Sequence, residues 1–356
     1  MNSQCQSMKA IVYRGFGSPD ILKCEEIAKP TPADDEVLVR VRAASVNPLD
    51  WRLMRGGPLI TRILFSLRAP KIKQPGKDVA GEVEAVGKNA TRFKPGDEVF
   101  GLCHGAFAAY ACAPESMLVL KPAHVSFEQA ASMPIAGLTA LQGLRDKGKL
   151  RPGQKVLVNG ASGGVGTFAV QLAKYLGAHV TAVCSTQNLD MVRSLGADEV
   201  VDYTRNDFTK CGQRYDLILD CVGNHSAWAC RRALKRQGTC AIAGAPTELP
   251  KILARVLQAL LLSRLVSQKF VMYMAKMNHQ DLNLIVDLIA SGRVTPVIDR
   301  HYILNDVAAA IAYSEQGHAR GKVVITFENG AARRSATRDV PLLRCAEEAT
   351  WVCNQT

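Results

Sequence analysis

One stretch constrains this chain more than any other: Lys155-Val-Leu-Val-Asn159, then Gly160-Ala161-Ser162-Gly163-Gly164-Val165-Gly166, then Thr-Phe-Ala-Val-Gln-Leu-Ala-Lys174. It reads as a buried strand, a glycine-rich turn and the opening of a helix. In that context Ala161-x-Gly163-x-x-Gly166 is a dinucleotide-binding fingerprint with Ala in the first glycine slot. Small residues let the backbone turn sharply and approach a pyrophosphate. The helix N-terminus then offers free N–H groups and the positive end of its dipole to that anion. A nucleotide site over Gly160–Gly166 is therefore expected in preference to a purely structural turn.

The segments around this unit fall into two regimes. Lys9–Arg14, Glu36–Val46, Val79–Val86, Glu98–Gly101 and Phe107–Ala113 are short strand-like runs, separated by turn signals such as Gly17-Ser-Pro19 and Lys94-Pro95-Gly96-Asp97. They predict a compact barrel. From about Ser126 the pattern changes. A helical stretch, Glu128–Lys147, is interrupted at Pro134 and Gly137. Strands 155–159, 179–184, 199–202, 216–221 and 240–243 then alternate with helices 164–176, 188–194 and 226–235. That is the rhythm of an open parallel sheet covered on both faces, an α/β architecture. Residues 249–277 are apolar and basic with helical spacing. They predict an amphipathic helix packed on its own protein, with a membrane-facing or cleft-lining surface as the alternative. Helix 280–291, strand-like 294–303, helix 305–316 and strand 322–327 follow. Residues 328–356 are polar without sustained periodicity, as in a loosely ordered tail.

Composition narrows the function classes. At 356 residues there is room for two domains with real cores, and 47% hydrophobic with 21% charged residues fits a soluble globular protein. The net charge of +12 comes from short, scattered basic clusters, with no stripe of Lys and Arg interleaved with aromatics. No nucleic-acid partner is expected. The 11 cysteines include no Cys-x-x-Cys, which argues against a disulfide framework and a zinc knuckle and for reduced thiols in the cytoplasm. No apolar signal segment and no membrane span is read in the chain.

Five further motifs resemble those of the medium-chain dehydrogenase/reductase superfamily: Val46-Asn47-Pro48-Leu49-Asp50-Trp51, Gly76-Lys-Asp78-Val-Ala-Gly81-Glu-Val, Lys94-Pro-Gly96-Asp97-Glu-Val-Phe-Gly101, Pro134-Ile-Ala-Gly-Leu-Thr139-Ala140 and Gly317-His-Ala-Arg-Gly321-Lys322-Val-Val. The resemblance covers roughly residues 8–327. It implies a GroES-like β-barrel catalytic domain at 1–130, completed by about 297–327, and a Rossmann doubly wound parallel-sheet domain at 131–296. The polar tail is 328–356. Relatives of this kind commonly pair as homodimers through the edge of the Rossmann sheet.

Within that superfamily the chain resembles the zinc-free quinone oxidoreductase branch. Zinc alcohol dehydrogenases place Cys, His and Cys or acid ligands at three positions, which by the quoted motifs are Asn47, Lys77 and Ile135 here. An amide is at most a weak ligand, a protonated lysine repels a cation, and isoleucine has no lone pair. No metal is expected; Cys103 with His104 makes a pair of neighbours and no site. Without a Lewis acid, an electrophilic acceptor suits the site better than an alcohol. The resemblance implies NADPH-dependent reduction of a quinone or an α,β-unsaturated carbonyl, with NADH as a second coenzyme. A nucleotide-binding sensor, or an RNA- or membrane-associated protein with little turnover, is the alternative.

The resemblance also nominates residues. Asn47 would donate its amide N–H to a substrate carbonyl, or else cap the following turn. Asp50 would be a structural acceptor. Lys77 would stabilise developing negative charge, or else be a solvated surface lysine. Thr139 would touch the nicotinamide, or else face the core. No acid ends the second Rossmann strand, Val183-Cys184-Ser185-Thr186-Gln187-Asn188, so a 2′-phosphate is not repelled. Ser185, Thr186 and Asn188 would donate to it and Tyr203 would contact it, but no basic residue stands near Gln187. Cys221-Val222-Gly223 and Ala243-Gly244 would approach the nicotinamide end, and Lys322 would join the coenzyme site. Arg52–Gln74 contains no tyrosine to act as a proton donor, which sets aside the enoyl thioester reductases.

Overall fold

A computed structural model describes residues 6–56, 73–244, 258 and 266–327. Two sheets carry the fold. Strands β1 (Ser7–Val12) and β2 (Lys23–Ala28) form an antiparallel hairpin, joined to the first large sheet by a bridge between Ala10 and Ala108. That sheet contains β3 (Glu36–Val46), β4 (Asp78–Val86), β5 (Glu98–Leu102), β6 (Tyr110–Pro114) and β7 (Leu118–Leu120). At 11 residues β3 is long enough to serve several neighbours. It pairs β4 over most of its length and β6 over Glu36–Arg40, and its far end pairs a strand from the end of the chain. The sheet encloses one apolar cluster that includes Val39, Val79, Val99 and Phe107. No pairing between its end strands closes a barrel among the described residues.

Helix α1 (Pro48–Arg55) follows β3. Helices α2 (Phe127–Ser132) and α3 (Pro134–Gln142) lead out of the first sheet. The break between α2 and α3 has a local cause, since proline cannot donate into a continuing helix and its ring crowds the preceding turn. Ser126 begins α2 with a reciprocal capping box to Gln129.

The second sheet is six-stranded and wholly parallel, in the order β10-β9-β8-β11-β12-β13. Its strands are β8 (Lys155–Asn159), β9 (His179–Cys184), β10 (Glu199–Asp202), β11 (Tyr215–Asp220), β12 (Leu234–Ile242) and β13 (Lys269–Met272). Helices α4 (Gly164–Tyr175), α5 (Leu189–Ser194) and α6 (Ala227–Arg232) connect them. Val156, Leu157 and Val158 are fully buried, as a central strand covered on both faces requires. The strand order reverses beside β8, so a crevice opens at the carboxyl ends of β8 and its neighbours.

Two sequence expectations change here. Residues 249–277 are not one helix: Lys269–Met272 is the sixth strand of the parallel sheet, while most of the segment before 266 lies outside the described residues. Phe270 packs against the buried cluster that includes Tyr215 and Ile242, and a short apolar strand cannot be told from a helical segment by periodicity alone. The 226–235 helix stops at Arg232, and β12 starts six residues earlier than expected, with its polar Lys-Arg-Gln run absorbed by a register shift against β11. The 328–356 tail lies outside the described residues.

The chain then returns to the first sheet through α7 (His279–Ala290), β14 (Ile298–Ile303), α8 (Val307–Glu315) and β15 (Lys322–Thr326). Strand β15 lies antiparallel to the end of β3, with Val323 opposite Val46. One residue before it, Gly321 bridges to Gly163 of the glycine turn. The last strand thus joins the two sheets across the crevice.

Candidate active site

The glycine turn is built for close approach. Gly160 has φ +82°, a left-handed conformation that favours glycine. A Cβ on Gly166 would stand 2.1 Å from the Gly160 carbonyl oxygen, so only hydrogen fits there. Helix α4 therefore begins hard against the turn, with its first N–H groups facing a cleft of about 480 Å³. Gly160, Ser162, Gly163, Gly164, Val165 and Gly166 line that cleft, whereas Ala161 is fully buried behind it. The Gly321 N–H donates to the Ser162 carbonyl at 2.8 Å and ties the turn to the last strand. These features fit a dinucleotide pyrophosphate, which needs a small-residue cradle and unspent N–H donors.

Ser185, Asn188 and Tyr203 line one end of the cleft. The Asn188 amide nitrogen is 3.0 Å from Ser185 Oγ, and its buried Oδ1 has no partner among the described residues. The serine hydroxyl can equally donate to the amide oxygen, which would leave the NH2 group to donate to a ligand. Thr186 does not fit the expectation of a phosphate donor. Its hydroxyl donates to Asp202 Oδ2 at 2.6 Å, and that bond holds the Asp202 carboxyl below its usual range. A basic residue does stand beside Gln187 in space, just outside the residues that line the cleft: the Arg320 Nη2 donates to Gln187 Oε1 at 3.1 Å. Local sequence could not show this, because 133 residues separate the two.

Farther in, Cys221 and Val222 line the cleft beneath the carboxyl end of β11. The fully buried Asp220 organises this wall, accepting from Asn159 Nδ2 at 2.9 Å, the Val222 N–H at 3.2 Å and the Gly223 N–H at 2.9 Å. Ala243 and Gly244 donate their N–H groups to the Asp220 carbonyl. Gly223, Ala243 and Gly244 support the wall and are not among the residues that line it. Burial pushes the Cys221 thiol up, so it is a neutral, small surface here.

The inner end holds a buried polar network. Asp78, fully buried, accepts from Ser45 Oγ at 2.7 Å, Asn47 Nδ2 at 2.9 Å and the Ile135 N–H at 3.1 Å through its two oxygens. Lys322 Nζ is 2.7 Å from Asn47 Oδ1 and 3.2 Å from Asp78 Oδ2. The ammonium on one side and the carboxylate on the other fix which way the Asn47 amide points. Its nitrogen is spent on Asp78 and, at 3.3 Å, on the Ser45 carbonyl. Asn47 is thus no donor to a substrate carbonyl in this arrangement; it is the link between Asp78 and Lys322. Asp50 Oδ2 accepts from the Asn47 N–H at 2.8 Å at the start of α1. Burial, reinforced by the Asp78 charge, pushes the Asp50 carboxyl up to about 7.

Two further nominees lie off the cleft wall. Lys77 is half-buried and its Nζ meets His104 Nδ1 at 2.5 Å; burial lowers the proton affinity of both. Thr139 uses its carbonyl to accept from the Tyr273 hydroxyl at 2.7 Å, and Ala136, one turn earlier on α3, lines the cleft instead. Among the described residues no group of three His, Cys, Asp or Glu side chains could hold a metal ion, and no helix is long and apolar enough to cross a membrane.

Comparison with known proteins places these features in a family. Residues 33–123 match the alcohol dehydrogenase GroES-like domain, and residues 195–325 match the zinc-binding dehydrogenase model. The chain is 35% identical over 335 residues to the chloroplastic quinone oxidoreductase QR1 of Triphysaria versicolor, covering 89% of this chain and 98% of that one. It is 34% identical over 335 residues to the chloroplastic NADPH-dependent alkenal/one oxidoreductase of Arabidopsis thaliana, covering 90% and 80%. The solved quinone oxidoreductase of Coxiella burnetii superposes with a TM-score of 0.80 at 29% identity, covering 90% of this chain and 99% of that one. The two plant relatives carry a chloroplast location in their names, in contrast to the cytoplasm expected from the thiol content. With its GroES-like and Rossmann parts, its nucleotide turn and these relatives, the chain belongs to the quinone oxidoreductase branch of the medium-chain dehydrogenase/reductase superfamily.

Proposed function

We propose that the chain is a zinc-independent reductase that uses NADPH to reduce a quinone or an α,β-unsaturated carbonyl compound. The observation that carries this reading is the pairing of a glycine-turn cleft with an inner end built from Asn47, Asp78 and Lys322. At the three positions where zinc relatives hold metal ligands, Asn47 is committed to hydrogen bonds with Asp78 and Lys322, Lys77 contacts His104, and Ile135 offers only a backbone N–H. A cation-bonded amide, an amine beside an imidazole and an alkyl chain are a poor zinc set. An acceptor that is already electrophilic needs no metal.

The bound coenzyme supplies hydride. Gly160–Gly166 would hold its pyrophosphate, and Cys221 and Val222 would border its nicotinamide end. Ser185, Asn188, Tyr203 and Arg320 would surround a 2′-phosphate. Arg320 is the reason to favour NADPH over NADH, since a guanidinium recognises a phosphate dianion and gains nothing from a ribose hydroxyl. A homodimer through the second sheet is supported by β13, which stands at its end with Met272 exposed on it and Met274 exposed just beyond it.

The test is to follow oxidation of NADPH, and separately NADH, with a small para-quinone and with an alkenal, with and without a chelator. Steady, chelator-insensitive turnover is expected. Tight NADPH binding with no turnover on several quinones and alkenals would overturn the reading in favour of a nucleotide sensor.

A further inference from the structure

We propose that the Lys322 ammonium is the electrophile of this site, the group that donates a hydrogen bond to the acceptor's carbonyl oxygen as negative charge develops there. This rests on the reading of the chain as a quinone and enone reductase, and adds the residue that takes over the work of a metal ion.

Lys322 is only 3% exposed, yet it lines the cleft. What little of the side chain is open therefore faces the cleft. An ammonium carries three N–H donors. Asn47 Oδ1 and Asp78 Oδ2 take two of them among the described residues, and the third remains for a ligand.

The head is held in place. The backbone N–H of Lys322 donates to the Val297 carbonyl at 2.8 Å, and the neighbouring Gly321 N–H is tied to Ser162. The stem packs against Gly164, where a Cβ would lie 2.9 Å from Lys322 Cδ. A donor fixed in advance stabilises charge without reorganising during the reaction.

The local charge balance also favours the role. Asp78 is shared among Ser45, Asn47, Ile135 and Lys322, and the lysine contact at 3.2 Å is the longest of the four. Asp50, the other carboxyl nearby, is pushed up to about 7 by burial and so offsets less of the cation at neutral pH. Val46, Pro48, Ala136 and Val323 complete this end of the cleft. Apolar walls strengthen the attraction between a fixed cation and a developing oxyanion.

The step balances without a metal. The coenzyme's carbon–hydrogen bond breaks with its electron pair, a carbon–hydrogen bond forms at the acceptor's β-carbon, the C=C pair moves between the α- and carbonyl carbons, and the C=O pair moves onto oxygen. The oxyanion takes the Lys322 hydrogen bond, and solvent supplies the proton that completes the saturated carbonyl. The coenzyme loses two electrons and the acceptor gains them.

The experiment compares wild type with Lys322→Met and with the Lys322→Met/Asp78→Asn double variant, which removes the buried pair together. NADPH dissociation constants, kcat with an enone and kcat with a benzoquinone are measured on each, with melting temperature as the folding control. Removing one oxyanion donor characteristically lowers kcat by about 10²–10³-fold. That loss is expected on the enone, with a loss below about tenfold on the benzoquinone, whose reduced anion is intrinsically stable, and NADPH affinity within about threefold of wild type. In parallel, 4-nitrophenol is titrated by absorbance in the NADPH-loaded wild-type protein, whose dihydronicotinamide carries no positive charge. Its pKa should fall by about one unit or more against free nitrophenol if a cation faces it.

If the wild type reduces neither acceptor, the functional reading itself has failed. If it turns over and Lys322→Met loses NADPH affinity with equal losses on both acceptors, Lys322 serves the coenzyme phosphate and the inference is overturned. Unchanged enone turnover overturns it too. The wild-type nitrophenol titration decides even if neither variant folds, since an unshifted pKa would contradict a cation at that place.

Discussion

Arg320 offers the sharpest test of the coenzyme preference. Its Nη2 reaches Gln187 Oε1 at 3.1 Å, while its backbone N–H is separately bound to Asp299 Oδ2 at 3.0 Å. Arg320→Ala therefore removes the guanidinium and leaves the backbone anchor of the strand entry. A charge-assisted hydrogen bond to phosphate contributes about 1.5–3 kcal/mol when shielded from solvent. Arg320 is exposed, so screening reduces this to about 1–2 kcal/mol. The NADPH dissociation constant should rise roughly 5- to 30-fold, while that of NADH, which lacks the 2′-phosphate, should change less than about twofold. Titration by nicotinamide fluorescence at low and high salt reads both. The NADPH effect should shrink as salt rises, and Arg320→Lys should recover part of it. Equal losses on the two coenzymes would refute the reasoning and make Arg320 a structural residue. No loss on either would place the phosphate elsewhere.

Two further outcomes follow from the same geometry. Gly166→Ala puts a Cβ 2.1 Å from the Gly160 carbonyl oxygen and 2.7 Å from Ala161 Cα, so the turn and the start of α4 must separate. Overpacking of this kind costs about 1–3 kcal/mol, and NADPH and NADH affinity should fall together by about tenfold or more; wild-type binding by calorimetry would contradict the close-approach argument. Asp50 carries a pH signature. Its folded pKa, up to about 7, lies above the ordinary aspartate value, so the native state holds a proton that the unfolded chain has released. The contribution to stability is fully present below about pH 4 and is lost as pH rises through 7, by up to about 4 kcal/mol. Urea denaturation of wild type and Asp50→Asn across pH 4–8 should diverge in slope over that window, and parallel profiles would show that Asp50 does not titrate there.

The parts of the fold that were legible in sequence are those whose cause is local. Lys155–Asn159 was a strand because three consecutive apolar residues end at a glycine turn, and Gly160–Gly166 was a tight small-residue turn lining the cleft because the spacing itself makes the shape. Strand β3 was readable to its ends for the same reason: its apolar run is bounded by Asp34-Asp35 and by Asn47-Pro48. Residues 269–272 were misread because what makes them a strand is pairing with a distant neighbour, β12, which no periodicity within the segment reveals. The site residues divide along the same line. Ser185, Asn188 and Tyr203 reach the cleft from positions set by their own strands. Thr186 was diverted by Asp202, and the Asn47 amide by Asp78 and Lys322. What a polar side chain has left for a ligand is decided by the partners nearest it, and here those partners, the acceptors Asp202 and Asp78 and the donor Lys322, come from 16, 31 and 275 residues away.

The closing strand shows why such distant contacts carry the chemistry. Arg320, Gly321 and Lys322 are consecutive, and each meets a different part of the cleft: Gln187 at the proposed phosphate end, Ser162 on the glycine turn, Asn47 and Asp78 at the inner end. Successive Cα atoms are about 3.8 Å apart, and the left-handed φ of +100° at Gly321 breaks the alternation that would otherwise put Arg320 and Lys322 on one face. Fixing Gly321 to the glycine turn therefore sets where both neighbours can go, one toward each end of the crevice. The binding proposed at the Arg320 end and the polarisation proposed at the Lys322 end would then be held in register by covalent geometry rather than by independent packing. A substitution that loosens the Gly321 tether should disturb both ends together. At Gly321 itself, with φ +100° and a Cβ position 2.3 Å from the Val297 carbonyl oxygen, even alanine has no room to enter without moving the strand that carries them.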